Sequence, residues 1–185
     1  MISCLLDRSG SMSSCLSDTI GGYNSFLETS EQTDRISLYL FDHEFAPVYE
    51  NVLISEAEKL SNANYVPRGS TALLDSMKKI IELDEETKTV VIITDGDENA
   101  SKNTTFEDIS KMIEAKKELG WKFIFMGANQ DAIATASKMN IKQGSTLQFS
   151  TDSIQSAFRS ASSAIKRGGA IEFTELERAL SYNRT

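Results

Sequence analysis

The sequence predicts an α/β protein built on an open, mostly parallel sheet with helices on both faces. Three observations carry that prediction. Ile2, Cys4, Leu5 and Leu6 form an apolar run of strand length, and Thr89 to Thr94 form another, the most β-branched stretch in the chain. Both read as strands buried on two sides, as parallel sheets require. Between them, Leu73, Leu74, Met77, Ile80 and Ile81 recur at helical spacing. Each strand is also followed at once by an aspartate, Asp7 and Asp95.

The remaining elements alternate as that architecture demands. Leu16, Ile20, Tyr23 and Leu27 predict a helix running to about Ser30, with Gly21 and Gly22 permitting close packing. Ile36 to Phe41 reads as a buried strand, and Asp42-His43-Glu44 turns it into a second one around Phe45 to Val52, which supplies a single antiparallel edge. Phe106, Ile109, Met112 and Ile113 mark a helix ending near Gly120, and Trp121 to Met126 form the next strand, ended by Gly127-Ala128-Asn129. Asp131 to Met139 reads as a helix and Thr146 to Phe149 as a short last strand, so the sheet has about six strands. Ile154, Ala157, Phe158, Ala161 and Ile165 share a face of a final long helix, for which Asp152 is the expected N-cap. Residues 1–167 are expected to form one domain. Residues 168–185 read as a tail in which Gly168-Gly169 is a hinge and Thr174 and Glu177, three apart, form a capping box.

The aspartates carry the functional reading. In open α/β sheets ligands bind outside the carboxyl ends of the strands, where the strand order reverses. Asp7-Arg8-Ser9-Gly10-Ser11 and Thr94-Asp95-Gly96 both begin at such ends, and Arg68-Gly69-Ser70-Thr71 places Thr71 near the positive end of the following helix. Hard cations such as Mg²⁺ take oxygen ligands and keep some water, so carboxylates and hydroxyls are suitable donors. Asp7, Ser9, Ser11, Thr71 and Asp95 together carry only two negative charges, which a dication neutralises. Taken alone, Asp7 to Ser11 reads equally well as a turn capping the next helix. Thr71 and Asp95 in matching contexts favour a metal site.

These residues resemble the von Willebrand factor A (vWA) domains, whose metal-ion-dependent adhesion site (MIDAS) is Asp-x-Ser-x-Ser with a distant Thr and a distant Asp. The resemblance covers nearly the whole chain. The wording Asp-Arg-Ser-Gly-Ser-Met, Thr-Ile-Gly-Gly-Tyr-Asn and Thr-Asp-Gly-Asp-Glu-Asn is most similar to stand-alone versions from bacteria, phages and large viruses. It implies a Rossmann-like three-layer sandwich, with Ser9, Ser11 and Thr71 giving hydroxyl oxygens to Mg²⁺ or Mn²⁺, and Asp7 and Asp95 binding directly or through water. It also implies a protein partner that offers an Asp or Glu to the open coordination position. In mobile members of the family the last long helix shifts with the state of the metal. Here its small residues, such as Ser160 and Ala161, equally permit plain close packing.

Bulk properties narrow the alternatives. A chain of 185 residues suits one domain, and a net charge of −8 with scattered lysines argues against a nucleic-acid surface. No stretch approaches the roughly 20 apolar residues of a membrane span, and no signal-like region precedes Asp7. A cytoplasmic or virion-associated protein is therefore expected. Cys4 and Cys15 are expected as unpaired, mostly buried thiols. His43, the only histidine, lies far in sequence from every metal segment and reads as a solvated turn residue. No Gly-x-Ser-x-Gly elbow or phosphate loop is present, and Ser9 stands where a phosphotransferase with an Asp nucleophile would want a second acid. Asp97 and Glu98 read as a charged loop at the rim of the site, or as contacts to the metal or the partner. The expected function is a metal-dependent adhesion module and not an enzyme. A structural subunit of a larger assembly is the alternative, and a metal-dependent hydrolase a more distant one.

Overall fold

The computed structural model describes residues 1–83, 88–128 and 131–182. Six strands, β1 (Ile2–Asp7), β2 (Arg35–Phe41), β3 (Phe45–Leu53), β4 (Thr89–Thr94), β5 (Lys122–Gly127) and β6 (Thr146–Gln148), form one sheet in the order β3-β2-β1-β4-β5-β6. Every pairing is parallel except β2 with β3. The order reverses between β1 and β4, so the expected switch point lies where Asp7 and Asp95 emerge.

Side chains alternate across the sheet, and the two resulting faces bury two cores. Ile2, Cys4 and Leu6 of β1 join Val91 and Ile93 of β4 beneath α1 (Leu16–Thr29) and a later helix, Ile154–Arg167. On the other face Leu5, Tyr39, Val90 and Ile92 pack under α2 (Leu73–Leu83), α3 (Phe106–Glu118) and α4 (Ala132–Lys138). The helix Ile154–Arg167 is α5, and α6 (Glu175–Ser181) follows it. Asn129, expected at the end of β5, lies outside the described residues.

Two local outcomes differ from the sequence reading, and a third decides what it leaves open. A 3-10 helix, Gly10–Cys15, precedes α1, because the serine-rich stretch after the metal turn lacks the apolar period of an α-helix. Asp152 does not cap α5. Ser153 occupies that position without capping the helix through its side chain, and its hydroxyl lies 2.6 Å from that of Ser150. The tail is docked on its own domain. The Thr174–Glu177 capping box forms, Arg178 donates to the carbonyls of Gln143, Gly144 and Thr146, and Arg167 grips Glu177 through both terminal nitrogens. Both cysteines are free and buried, as expected.

Glycines in α1 set the distance to α5. A Cβ on Gly22 would come within 2.5 Å of a ring carbon of Phe158, a fully buried side chain that also meets the rings of Tyr23 and Phe26. Phe158 has no room to retreat. We expect Gly22→Ala to destabilise the fold by about 1–3 kcal/mol, the range for overpacking a core, as measured by urea denaturation. Gly21→Ala, whose Cβ would meet only the end of the flexible Gln155 side chain, should cost less.

Candidate metal centre

β1 delivers Asp7 to the sheet edge fully buried. A carboxylate in that position needs compensation, and the local chain supplies part of it. Oδ1 accepts the backbone N–H of Ser9 at 2.6 Å, and Oδ2 accepts the Thr94 hydroxyl at 2.5 Å. Tyr65 donates its hydroxyl to the Asp7 carbonyl at 2.5 Å and holds the strand end from the side. The Thr94 and Ser9 bonds favour the charged form, yet burial outweighs them and, with the nearby Asp95 charge, pushes the Asp7 carboxyl up to about 6. Burial also raises Asp95, against the hydroxyl of Ser11.

All five residues singled out from the sequence meet at this edge. Ser11 Oγ donates to Asp95 Oδ1 at 2.7 Å and lies 3.1 Å from Ser9 Oγ. Gly96 shows where Thr71 enters. A Cβ built on it would stand 3.0 Å from Thr71 Oγ1, 3.4 Å from Ser11 Oγ and 3.7 Å from Ser9 Oγ. Three hydroxyls from two separate loops thus converge on the bare face of a glycine beside Asp95. An all-oxygen donor set with two carboxylates fits a hard divalent cation. Ser9, Ser11, Thr71 and Asp95 would hold it, with Asp7 beneath.

Residues that the sequence did not mark hold the two loops together. Asp42, fully buried at the end of β2, accepts Arg8 Nε at 2.9 Å and Arg68 Nε at 2.8 Å on one oxygen, and the Glu44 N–H at 2.7 Å on the other. Its carbonyl accepts the N–H of Ala72, next to Thr71, at 2.8 Å. Direct backbone bonds, Arg68 N to Arg8 O and Gly10 N to Gly69 O, complete the seam between the loops. Asp42 thereby fixes the Asp7–Ser11 turn and the Thr71 loop against each other. Burial raises its carboxyl, but the Glu44 N–H and the two guanidiniums outweigh that and leave it lowered.

Glu98 likewise faces away from the metal position. Its oxygens accept the N–H groups of Leu74, Ala100 and Ser101 and the Ser101 hydroxyl, which caps the first turn of α2. Asn99 Oδ1 accepts the Thr71 N–H, and Thr71 O accepts from Asn99 and Ala100. The expectation of a charged rim at Glu98 is therefore corrected: the carboxylate is consumed in fixing the Ala100–Ser101 segment against the first turn of α2. His43 is also nearer than its sequence position suggests, because Gly69, with φ of +69°, packs directly against its ring. The group Asp42, His43 and Glu44 brings three ligand atoms together, but its acids are already held by arginine: Asp42 by Arg8 and Arg68, Glu44 by Arg68.

No protein-family model and no curated protein matches the sequence. Solved structures do match, and their likeness shows the fold. The von Willebrand factor domain of the type V pilus tip protein Mfa5 from Porphyromonas gingivalis aligns over 94% of this chain and 96% of its own, with a TM-score of 0.69 and 13% identity. A von Willebrand factor type A protein from Catenulispora acidiphila aligns over 88% of this chain and 42% of its own, with a TM-score of 0.63 and 11% identity. Proximal thread matrix protein 1 of the mussel byssus, solved with its MIDAS motif occupied by zinc, aligns over 87% and 44%, with a TM-score of 0.65 and 13% identity. The chain thus spans less than half the length of the last two. Its six-stranded sheet with one antiparallel edge is the Rossmann-like sandwich of vWA domains.

The Asp42 arrangement generates a prediction. Asp42→Asn should destabilise the protein by about 1–2 kcal/mol, at the lower end of the scale for hydrogen bonds to a charged group, because Arg8 and Arg68 keep access to water. Because the folded carboxyl is lowered, its contribution should be complete above about pH 4 and fade as pH falls through the folded value. Thermal denaturation of both proteins between pH 3 and pH 7 checks this, through curves that converge at the acid end.

Proposed function

We propose that this chain is a protein-interaction module that captures an Asp or Glu of a partner protein through a divalent cation held by Asp7, Ser9, Ser11, Thr71 and Asp95. The observation that carries the reading is the convergence of the Ser9, Ser11 and Thr71 hydroxyls over Gly96, beside the Asp95 carboxylate. Mg²⁺ or Mn²⁺ suits an all-oxygen set better than softer ions do. The cation supplies positive charge at an exposed edge, while Ser11, Asp95 and the flanking loops orient it. A partner carboxylate then completes the coordination.

Two features favour binding over turnover. A hydrolytic role would need a base beside the metal, and of the two acids that follow Asp95, Asp97 and Glu98, the second is spent on backbone N–H groups of the loop and of α2. His43 packs on Gly69, with its Nδ1 3.3 Å from Asp42. The Mfa5 domain comes from a pilus tip and the byssus protein carries zinc in its MIDAS motif, which is consistent with an adhesive role for a metal at this edge. Among the described residues no helix is long and apolar enough to cross a membrane.

Calorimetric titration should show one Mg²⁺ or Mn²⁺ site, lost in Asp7→Ala. A thermogram without heat at millimolar metal would end the proposal. Gly96→Ala is a sharper test because it alters no ligand: its methyl group would enter the space where the hydroxyls converge, and metal affinity should fall at least about tenfold with the fold intact.

The raised Asp7 carboxyl adds a pH dependence. In the metal-free protein, burial of its charge costs stability above pH 6, and protonation relieves that cost as pH falls toward 4. A cation needs the charged form. Metal affinity should therefore weaken as pH drops through about 6, in the opposite direction to metal-free stability, and titrations at pH 5 and pH 7.5 should show both trends.

A further inference from the structure

A groove of about 800 Å³, within the roughly 300–1,000 Å³ of ligand clefts, lies beside Thr71. Its lining takes in Ser70 and Ala72 on either side of Thr71, and Asn99 and Ala100, which bond to the Thr71 backbone. Along α2 the lining runs from Ala72 past Ser76 to Lys79 and Glu82. It also takes in Lys102, Asn103 and Thr104, a segment bonded to α2 through Asp75, and Phe45 at the start of β3.

Three carboxylates border the groove, and each is already engaged. Glu44 pairs with Arg68, which stands outside the groove. Asp75 accepts the backbone N–H groups of Lys102 and Asn103 at 2.9 and 3.2 Å, and it is lowered by these bonds, the Thr104 hydroxyl and the Lys79 charge against the opposing effect of burial. Glu82 lies 3.9 Å from Lys78 on the next turn of α2. Lys79 and Lys102 are left without an ion pair among the described residues, and the Lys79 ammonium rests 5.5 Å from the centre of the Phe45 ring. The buried Thr104 Oγ1 makes no hydrogen bond of good geometry and is close enough to Asp75 only to favour its charge. Lys79 and Lys102 are thus the groove's positive charges without an ion pair among the described residues, in a chain whose net charge is −8.

We propose that this groove takes the stretch of partner chain that flanks the metal-bound carboxylate, and that this stretch is acidic. The inference rests on the cation reading above and extends it to the partner's sequence. From Ala72 to Lys79 the helix rises about 10 Å, the span of about three residues of extended chain. The partner therefore carries one acid for the metal and a second about three residues along, opposite Lys79 and Lys102. The ammoniums add little affinity as isolated surface charges. Next to an anchored carboxylate they select among partners and set the direction in which the segment lies.

The test uses two labelled eight-residue peptides at low ionic strength, octaglutamate and a glycine-serine peptide keeping only its first glutamate, followed by fluorescence anisotropy with Mg²⁺ and then with chelator. Octaglutamate should bind about tenfold more tightly, and the combined Lys79→Glu and Lys102→Glu variant should erase that difference while Mg²⁺ affinity by calorimetry stays unchanged. The same reversal at Lys111 and Lys166, outside the groove, should leave the difference in place. Amide resonances of Ser70 and of residues 102–104 should shift with octaglutamate and not with the other peptide. Equal octaglutamate affinity in wild type and the groove variant overturns the proposal while leaving the metal site standing. If Thr71→Ala and chelator change neither peptide, the cation reading fails first and the groove proposal falls with it.

Discussion

Burial of a carboxylate at the end of the central strand is the constraint around which the candidate site is organised. A charge with no water around it must be met by hydrogen bonds, by opposite charge, or by a proton. For Asp7 the chain provides one N–H from Ser9 and one hydroxyl from Thr94. That is too little, which is why its carboxyl is pushed up to about 6. The turn geometry from Asp7 to Ser11, the placement of Thr94 at the end of β4 and the lateral support from Tyr65 all follow from orienting this one group.

The neighbouring strand meets the same constraint differently. Asp42 follows Phe41, the register partner of Asp7, and is equally buried, yet two guanidiniums and an N–H compensate it from within the chain. Its carboxyl is lowered where that of Asp7 is raised. Two acids at adjacent strand ends thus divide the work. One is neutralised by the protein and joins the loops; the other is left short of positive charge, at the place where hydroxyls converge.

The chemistry-bearing residues were legible because each stands at the end of a readable element: Asp95 after a β-branched strand, Asp7 to Ser11 after an apolar one, and Thr71 just before the amphipathic α2. Asp7, Ser9, Ser11, Thr71 and Asp95 fall together in space as their spacing implied, and the antiparallel edge at β3 followed from the short turn at Asp42-His43-Glu44. What holds them was not legible. Asp42 and Glu98 look like ordinary turn acids, and nothing local distinguishes a carboxylate that accepts a distant arginine from one that faces water. His43 is the exposed turn residue that the sequence implies, but its neighbour Gly69 was not legible, because only the folded seam between the loops brings the two together. Asp152 failed as a cap because Ser153, one residue later, has tertiary partners in Ser150 and Ser181.

The two sides of the sheet also differ in a way that bears on how the molecule can associate. β6 is three residues long and its flank is occupied by the tail, through Arg178 and the N–H of Phe173 bound to Gly144. β3 is the longer flank, but its register is interrupted, Pro47 has no N–H to give, and Asn51 sits at φ of +52°. Neither side presents a flat row of unpaired backbone groups on which another chain could add a strand. A molecule whose sheet resists extension in both directions does not polymerise through its backbone, so its contacts with other chains must be made by side chains of its loops and helices.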